Sequence, residues 1–565
     1  MMKLTSLGIA LSLILIGCGQ ESQNDKQEVS ANTLEAKADK NKENIGITLS
    51  GLTDSIKTLA SDEFGGRAPG TQGEVLTVNY LINQFKAMGL APANGDKYTQ
   101  AVPLTSVEAT NQPLLTFSDG VGADLILSYP AQQVVWTRQQ VEQSSIIDSE
   151  LVFVGYGINA PERNWNDYAE VDVKGKTVVM LVNDPGYATQ NPELFNGNAM
   201  TYYGRWDYKF DEAARQGAAG AIIIHDTKPA AYPWSTVSAS WTGAQFDLVR
   251  PDKGENLSAV EGWIHKEQAA ELFSKAGMDL KAMYLAAQTP GFKARPMKLT
   301  ASTEINNKIS TVNSQNVAAM VKGSESPDDV FIYMAHWDHI GTDPSIEGDG
   351  IYNGAKDNAT GTAGLLEIAK AYANLPQPPK RSVMFLAVTA EEQGLLGSAY
   401  YAANPIYPLA KTIAGLNMDG LTNFGRARDV TLIGKGNSQL DAYLIKQAKN
   451  QDRVIVADPK PEKGSFYRSD HFELSKQGVP MLYPKPGYDH REKGFEYGLK
   501  KAAEYVSTNY HRPSDEYNSS WDLTGAVEDL ELYFATGLDI VNSGDWPEWT
   551  EGTEFKAARE KQRKN

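Results

Sequence analysis

Three apolar runs in the second half of the chain constrain its fold more than any other feature. They are F-I-Y-M-A at 331–335, V-M-F-L-A-V at 383–388 and T-I-A-G-L at 412–416. Each is short, free of charge and suited to burial on both faces, and helical patterns lie between them. Strands alternating with helices call for an α/β fold. The expectation is a three-layer sandwich around a mostly parallel central sheet. The strands are read at Asn316–Lys322, Val330–Ala335, Val383–Val388, Thr412–Leu416 and Val430–Ile433, and the helices at 361–374, 394–404, 438–450 and 524–541. Earlier in the chain, Val75, Val78, Leu81, Ile82, Phe85 and Met88 share one helical face, and Gly89 stands where a helix C-cap belongs.

Each apolar run ends in the same kind of chemistry. The first leads into His336-Trp337-Asp338-His339, the second into Thr389-Ala390-Glu391-Glu392, and the third into Asn417-Met418-Asp419. Ligands bind beyond the carboxyl ends of strands in open α/β sheets, so parallel neighbours bring these groups to one rim. Carboxylates gathered there repel one another unless a cation or proton neutralises them. Mixed with imidazoles, they suit zinc or a similar borderline metal better than calcium. Asp357, just ahead of a helix in G-A-K-D-N-A-T-G, and His511, in N-Y-H-R-P-S-D, extend the set. Singly, each residue has an ordinary explanation: Asp357 as a helix cap, Asp419 as a turn residue, His336 as a packed histidine, Glu391 and Glu392 as an acidic helix start. Their recurrence at successive strand ends is what points to a site.

The 565 residues allow two to four domains, and the net charge of −17 with no internal basic cluster argues against nucleic acid as a partner. Residues 1–17 carry one early lysine, Lys3, and an apolar stretch too short to span a bilayer. The segment closes on L-I-G-C and resembles the lipobox of bacterial lipoproteins. That resemblance implies a signal peptide at 1–17, a lipid on Cys18 and a membrane-anchored exported protein. Gly19, where retained proteins carry aspartate, favours the outer membrane. Cys18 is the only cysteine, so no internal disulfide is possible. Residues 18–44 contain little to bury and read as a disordered tether.

A peptidase-like first part is assigned to 45–148, an insert to 149–292, the metal-bearing part to 293–545 and a charged, frayed tail to 546–565. Within the insert, Glu150–Ile158 and Lys176–Val182 read as strands, followed by a helix at Ala213–Gln216 and the strand G-A-A-G-A-I-I-I. The G-K-T-V-V and A-A-G-A-I-I-I pieces resemble the β-rich protease-associated domain, whose own protein partner here is unknown.

The motifs H-x-D, D-N-x-x-G, E-E-x-G-L-x-G-S, N-x-D and Y-H-x-P-x-D, with L-A-S-D-E-F-G-G-R near residue 60, resemble the co-catalytic di-zinc exopeptidases related to aminopeptidase Y, glutamate carboxypeptidase and the transferrin receptor ectodomain. The resemblance implies two zinc ions bridged by Asp357, one held also by His336 and Asp419, the other by Glu392 and His511. It implies Asp338 bonded to the His336 imidazole and Glu391 as general base, facing the water from an extended backbone while Glu392 ligates. Tyr467 and Tyr510 are both offered as the oxyanion donor. Peptides are the implied substrates, and an aminopeptidase is the leading activity. A carboxypeptidase using Arg468, a one-zinc glutaminyl cyclase and a non-catalytic receptor-like protein are the alternatives. His339 and His471 fall beside the site, Asp470 near it, and His225, His265 and His490 outside it. No G-x-S-x-G elbow occurs, and Ser469-Asp470-His471 are too close in sequence for a triad.

Overall fold

The computed structural model describes residues 46–564, so the signal segment 1–17, the tether 18–44 and Cys18 lie outside the described residues. The first sheet contains β1 (Thr99–Ala109), β2 (Ala244–Leu248), β3 (Arg295–Val321), β4 (Ser326–His336), β5 (Arg381–Val388), β6 (Thr412–Asn417), β7 (Asp429–Ile433), β8 (Val454–Ala457) and β9 (Met481–Pro486). In space they run β2–β1–β3–β5–β4–β6–β9–β7–β8. The centre, β5–β4–β6–β9, is parallel, and antiparallel strands flank it.

Alternation along β4 builds the layers. Val330, Ile332 and Met334 pack with Met384, Leu386 and Val388 of β5 against Tyr401 of one helix and Leu474 of another. On the opposite face, Tyr333 stacks on Phe385 and meets Tyr372, which contacts Phe534. The helices concerned are α1 (Thr360–Ala373, bearing Tyr372), α2 (Leu396–Ala403, bearing Tyr401), α3 (His471–Lys476, bearing Leu474) and α4 (Thr524–Asn542, bearing Phe534). Helices thus cover both faces, as the alternating pattern requires. Gly537 lets α4 lie close to the sheet: a Cβ there would stand 1.9 Å from the Tyr333 hydroxyl, which donates to Tyr533 O at 2.8 Å.

The helix Gln72–Ala87 ends in a Schellman cap. Leu90 N–H bonds Phe85 O and Gly89 N–H bonds Lys86 O, with Gly89 at φ +73°. Val78, Leu81 and Phe85 are buried, but Val75 is 49% exposed because the packed face is narrower than the periodic stripe.

A second sheet runs Gln133–Trp136, Val260–His265, Gly220–His225, Thr177–Leu181, Gln143–Phe153, then the first half of β3, Leu115–Ser118 and Leu125–Leu127. It has apolar cores on both faces. It includes strands upstream of residue 149, and β3 belongs to both sheets, pairing with Gln143–Phe153 first and with β1 afterwards. The polar middle of β3 (N-N-K-I-S-T-V-N-S) hides this 27-residue strand from a periodicity reading that finds only its last turn of apolar residues. The segment after 546 is not a frayed end. Trp549 and Phe555 are buried, and Arg559, wholly buried in the helix Lys556–Lys564, donates to the carbonyls of Leu409, Thr412 and Ile413. Among the described residues no helix is long and apolar enough to cross a membrane.

Candidate metal centre

Parallel pairing sets His336 opposite Val388 and Met334 opposite Asn417, so the chain leaves β4, β5 and β6 at one edge. After β5 it turns at once. Ala390 adopts φ +53°, and the Glu391 carbonyl accepts the N–H groups of Gly394 and Leu395. The backbone at Glu391 and Glu392 is therefore a turn, not the extended stretch expected. Asp338 shapes it, its carboxylate accepting Glu391 N–H at 3.1 Å and Glu392 N–H at 3.3 Å. That differs from the expected role of Asp338. His336 Nδ1 lies 3.2 Å from the Asp338 backbone oxygen and 3.7 Å from its carboxylate, so the carbonyl orients the ring. A nitrogen facing a carbonyl carries the hydrogen, so Nε2 is the atom that offers a lone pair whenever the ring is neutral.

Asp357 sits in the turn that opens α1, and Asn358 ties that turn to the one bearing Asp419. Asn358 Nδ2 donates to Met418 O, and its Oδ1 accepts from Gly361 and Gly420, each at 3.0 Å. Asp515 holds the same turn from the other side. Its buried carboxylate accepts Lys356 N–H at 3.2 Å, Asp357 N–H at 3.1 Å and the Tyr505 hydroxyl at 3.0 Å.

These supports gather the expected ligands. His336 Nε2 lies 3.4 Å from Asp357 Oδ1 and 3.8 Å from Asp419 Oδ1. His511 Nε2 lies 3.3 Å from Asp357 Oδ2 and 3.0 Å from Glu392 Oε2. Donor atoms of His336, Asp357 and Asp419 fall within 4.8 Å of one another, as do those of His336, Glu391 and Glu392. His336 Nε2 is buried without a hydrogen-bond partner and faces two carboxylates, which is a place for a positive charge, a proton or a cation. Imidazole nitrogens mixed with carboxylates fit a borderline divalent metal.

The electrostatics agree. Burial, opposed by His336 and reinforced by Glu392, Asp470 and Asp419, holds the Glu391 carboxyl well above the usual range. Burial likewise pushes Asp338 to about 6 and Asp470 to about 7. Burial works against ionised Asp357 as well, but the imidazoles of His336 and His511 outweigh it and hold that carboxyl well below its ordinary value. His511 is raised to about 11 by Glu392 and Asp357 despite its own burial. Protons on the histidines thus do what cations otherwise would.

Several contributors escaped the sequence reading. Arg67, the last residue of L-A-S-D-E-F-G-G-R, is 1% exposed and donates to the carbonyls of Leu59, Asn353, Gly354 and Trp337. It is a fixed positive charge behind the acidic rim, lowered to about 10 by burial against the pull of Asp338, Asp515, Asp357 and Glu392. Tyr483, also unforeseen, donates to Asp419 Oδ2 at 2.7 Å, while His339, expected beside the site, stands there with Nδ1 2.5 Å from Glu392 Oε1. Of the two tyrosines, Tyr510 stacks on His511 with centroids 3.9 Å apart. Tyr467 is placed elsewhere, its hydroxyl donating to Glu554 and its ring packed with Tyr202 and Phe472. The tail that supplies Glu554 made this placement unforeseeable from local sequence. Asp470 accepts from Ser398, and His471 stacks on Tyr483. Because Asp515 touches only the backbone of the bridging turn and Tyr505, Asp515→Ala is expected to lower divalent-metal affinity about 10–100-fold, measured by calorimetric titration of the metal-free protein.

Fold and rim together define an α/β protein with a candidate carboxylate–imidazole metal site at the ends of its parallel strands. Residues 316–535 match the model of Peptidase family M28, a span that contains His336, Asp357, Glu391, Glu392, Asp419 and His511. A probable zinc metalloprotease of Pyrenophora teres f. teres (strain 0-1) is 37% identical over 120 residues, 21% of this chain and 25% of the relative. Aminopeptidase NAALADL1 of Mus musculus is 29% identical over 168 residues, 28% of this chain and 20% of the relative. The matched region spans no more than a quarter of either of these two relatives' lengths. The solved aminopeptidase from Aneurinibacillus sp. strain AM-1 is 18% identical, with a TM-score of 0.49, over 89% of this chain and 96% of that one.

Proposed function

We propose that the protein is a zinc-dependent aminopeptidase that hydrolyses the N-terminal peptide bond of extracytoplasmic peptides. His336, Asp357 and Asp419 are assigned to one zinc ion, and Asp357, Glu392 and His511 to a second. The observation that carries the reading is Asp357, whose two oxygens face His336 at 3.4 Å and His511 at 3.3 Å. When bound, such a metal pair polarises the substrate carbonyl and lowers the pKa of a water. Glu391, grouped with His336 and Glu392, is assigned the proton: it takes it from the attacking water and delivers it to the departing amine. Tyr510, beside His511, is assigned as the neutral donor to the carbonyl oxygen. The acidic rim suits a protonated substrate amine, which favours aminopeptidase over carboxypeptidase, and the name of the Mus musculus relative supports the same reading.

Amino-acyl anilides and their N-acetylated counterparts test the assignment. Turnover is expected only with free amino groups, abolished by a chelator and restored by zinc. Equal hydrolysis of blocked substrates would exclude an aminopeptidase, and activity surviving exhaustive chelation would exclude the metal. The proposal extends to a protease-associated module, expected at 149–292 but built on a sheet that takes in strands on both sides of those bounds, and to a lipid on Cys18. Cys18→Ala is expected to move the protein from the membrane to the soluble fraction.

A further inference from the structure

Three of the four parallel strands, β4, β5 and β6, lead into candidate ligands, and the fourth, β9, brings a lysine to the same rim. Leu416 of β6 stands opposite Leu482 of β9, so three residues further along each segment Asp419 and Lys485 arrive side by side. Lys485 is the middle residue of P-K-P, and the proline that follows it restricts its backbone to an extended form within β9. Pairing with Thr431 of β7 fixes the level at which its side chain leaves the sheet.

The Lys485 ammonium donates to the Asp419 carbonyl and lies 3.4 Å from Asp419 Oδ2. The same oxygen accepts the Tyr483 hydroxyl at 2.7 Å. The Tyr483 ring is itself held, with His471 stacked on it at 4.3 Å and Lys485 over it at 4.8 Å. Oδ2 is thus engaged twice, and Oδ1, 3.8 Å from His336 Nε2, is the oxygen left for a metal. The side chains of Lys485 and Asp419 are 29% and 17% exposed, so water only partly screens the ammonium from whatever Oδ1 holds. The other metal position has no such neighbour. Among the described residues neither Asp357 nor Glu392 forms an ion pair with a lysine or arginine, and their charged partners are His336, His339 and His511.

We propose that Lys485 acts through Asp419 to weaken the metal position shared with His336, so that the position of Glu392 and His511 fills first and the lysine sets the interval between the two. The inference rests on the two-metal reading and adds to it a positioning residue outside the ligand set. A neutral group that hydrogen-bonds a ligand carboxylate strengthens metal binding by orienting that carboxylate. A cation at the same oxygen also repels the incoming ion, and at this separation the repulsion is the larger effect. Orientation is not lost with the lysine, because the Tyr483 hydroxyl remains on Oδ2. The sign of the effect therefore separates the proposal from a structural ion pair: removing the charge tightens metal binding instead of loosening it.

Zinc titration of the metal-free, full-length protein against a chromophoric chelator tests it. Two steps are expected in the wild type, separated by about tenfold or more. Asp419→Ala should remove the weaker step and His511→Ala the tighter. Lys485→Met and Lys485→Gln should each tighten the weaker step about tenfold and leave the other unchanged, while Lys485→Arg keeps the wild-type interval. Tyr483→Phe, which takes a neutral donor from the same oxygen, should loosen the weaker step about tenfold. Circular dichroism accompanies each variant, and either uncharged variant that folds decides the matter. A weaker step left unchanged or loosened in it, wild-type steps of equal affinity, or loss of the tighter step in Asp419→Ala would each overturn the role of Lys485 alone. A wild type that binds fewer than two zinc ions would overturn the two-metal reading and the lysine with it.

Discussion

Glu391→Gln is expected to lower kcat by about 10²–10⁴ while leaving the metal content of the protein intact. The amide keeps the size and most of the polar contacts of the carboxylate but cannot accept a proton. Glu391 lies among the donor atoms of His336 and Glu392, yet His336, Asp357, Asp419, Glu392 and His511 make up the paired distances without it. Its backbone position also survives the change, because Asp338 holds the main-chain N–H and not the side chain. Steady-state kinetics on an amino-acyl anilide, with metal measured by plasma mass spectrometry on the same sample, separates proton transfer from metal loss. A variant retaining more than a tenth of wild-type kcat would remove Glu391 from the chemistry. A variant inactive because it has lost metal would make it a ligand.

Asp357→Ala is expected to be more damaging still, and in a different way. One carboxylate faces both histidines, so its removal should weaken both proposed metal positions at once, whereas loss of Asp419 or Glu392 should weaken one. Turnover should fall to background and bound metal to near none. Stability supplies an independent readout. A cation that binds only the folded chain stabilises it by about 2.7 kcal/mol at a hundredfold excess over Kd. Wild type should therefore melt at a higher temperature with zinc than with a chelator, and in Asp357→Ala that increment should vanish. An undiminished zinc-dependent shift in the variant would place the metal elsewhere.

Much of the architecture was legible because buried strands and helices announce themselves by period and by their ends. The runs at 383–388 and 412–416 became β5 and β6 within two residues, since an uncharged, fully buried strand has few alternatives. Gly89 marked its helix end because only a residue at ease with positive φ completes that cap. The long β3 was not legible, as its polar middle satisfies its hydrogen bonds across two sheets and needs no apolar period. Nor was the packed C-terminal helix, where Trp549 and Phe555 anchor a segment whose composition looked fully solvated.

The sequence by itself determined that His336, Asp338, Glu391, Glu392 and Asp419 share a rim, because parallel strands deliver whatever follows their carboxyl ends to one edge, while Asp357 and His511 were expected there from motif resemblance. Only the tertiary structure decided what each neighbour does there. Asp338 turned from the imidazole to the backbone of Glu391 and Glu392, Tyr467 was drawn to Glu554, and Asp515 and Arg67 took places around the cluster. Strand ends are set by short-range pattern, whereas a polar side chain settles on the partner that folding brings within about 3 Å, and that partner is written nowhere near it in the chain.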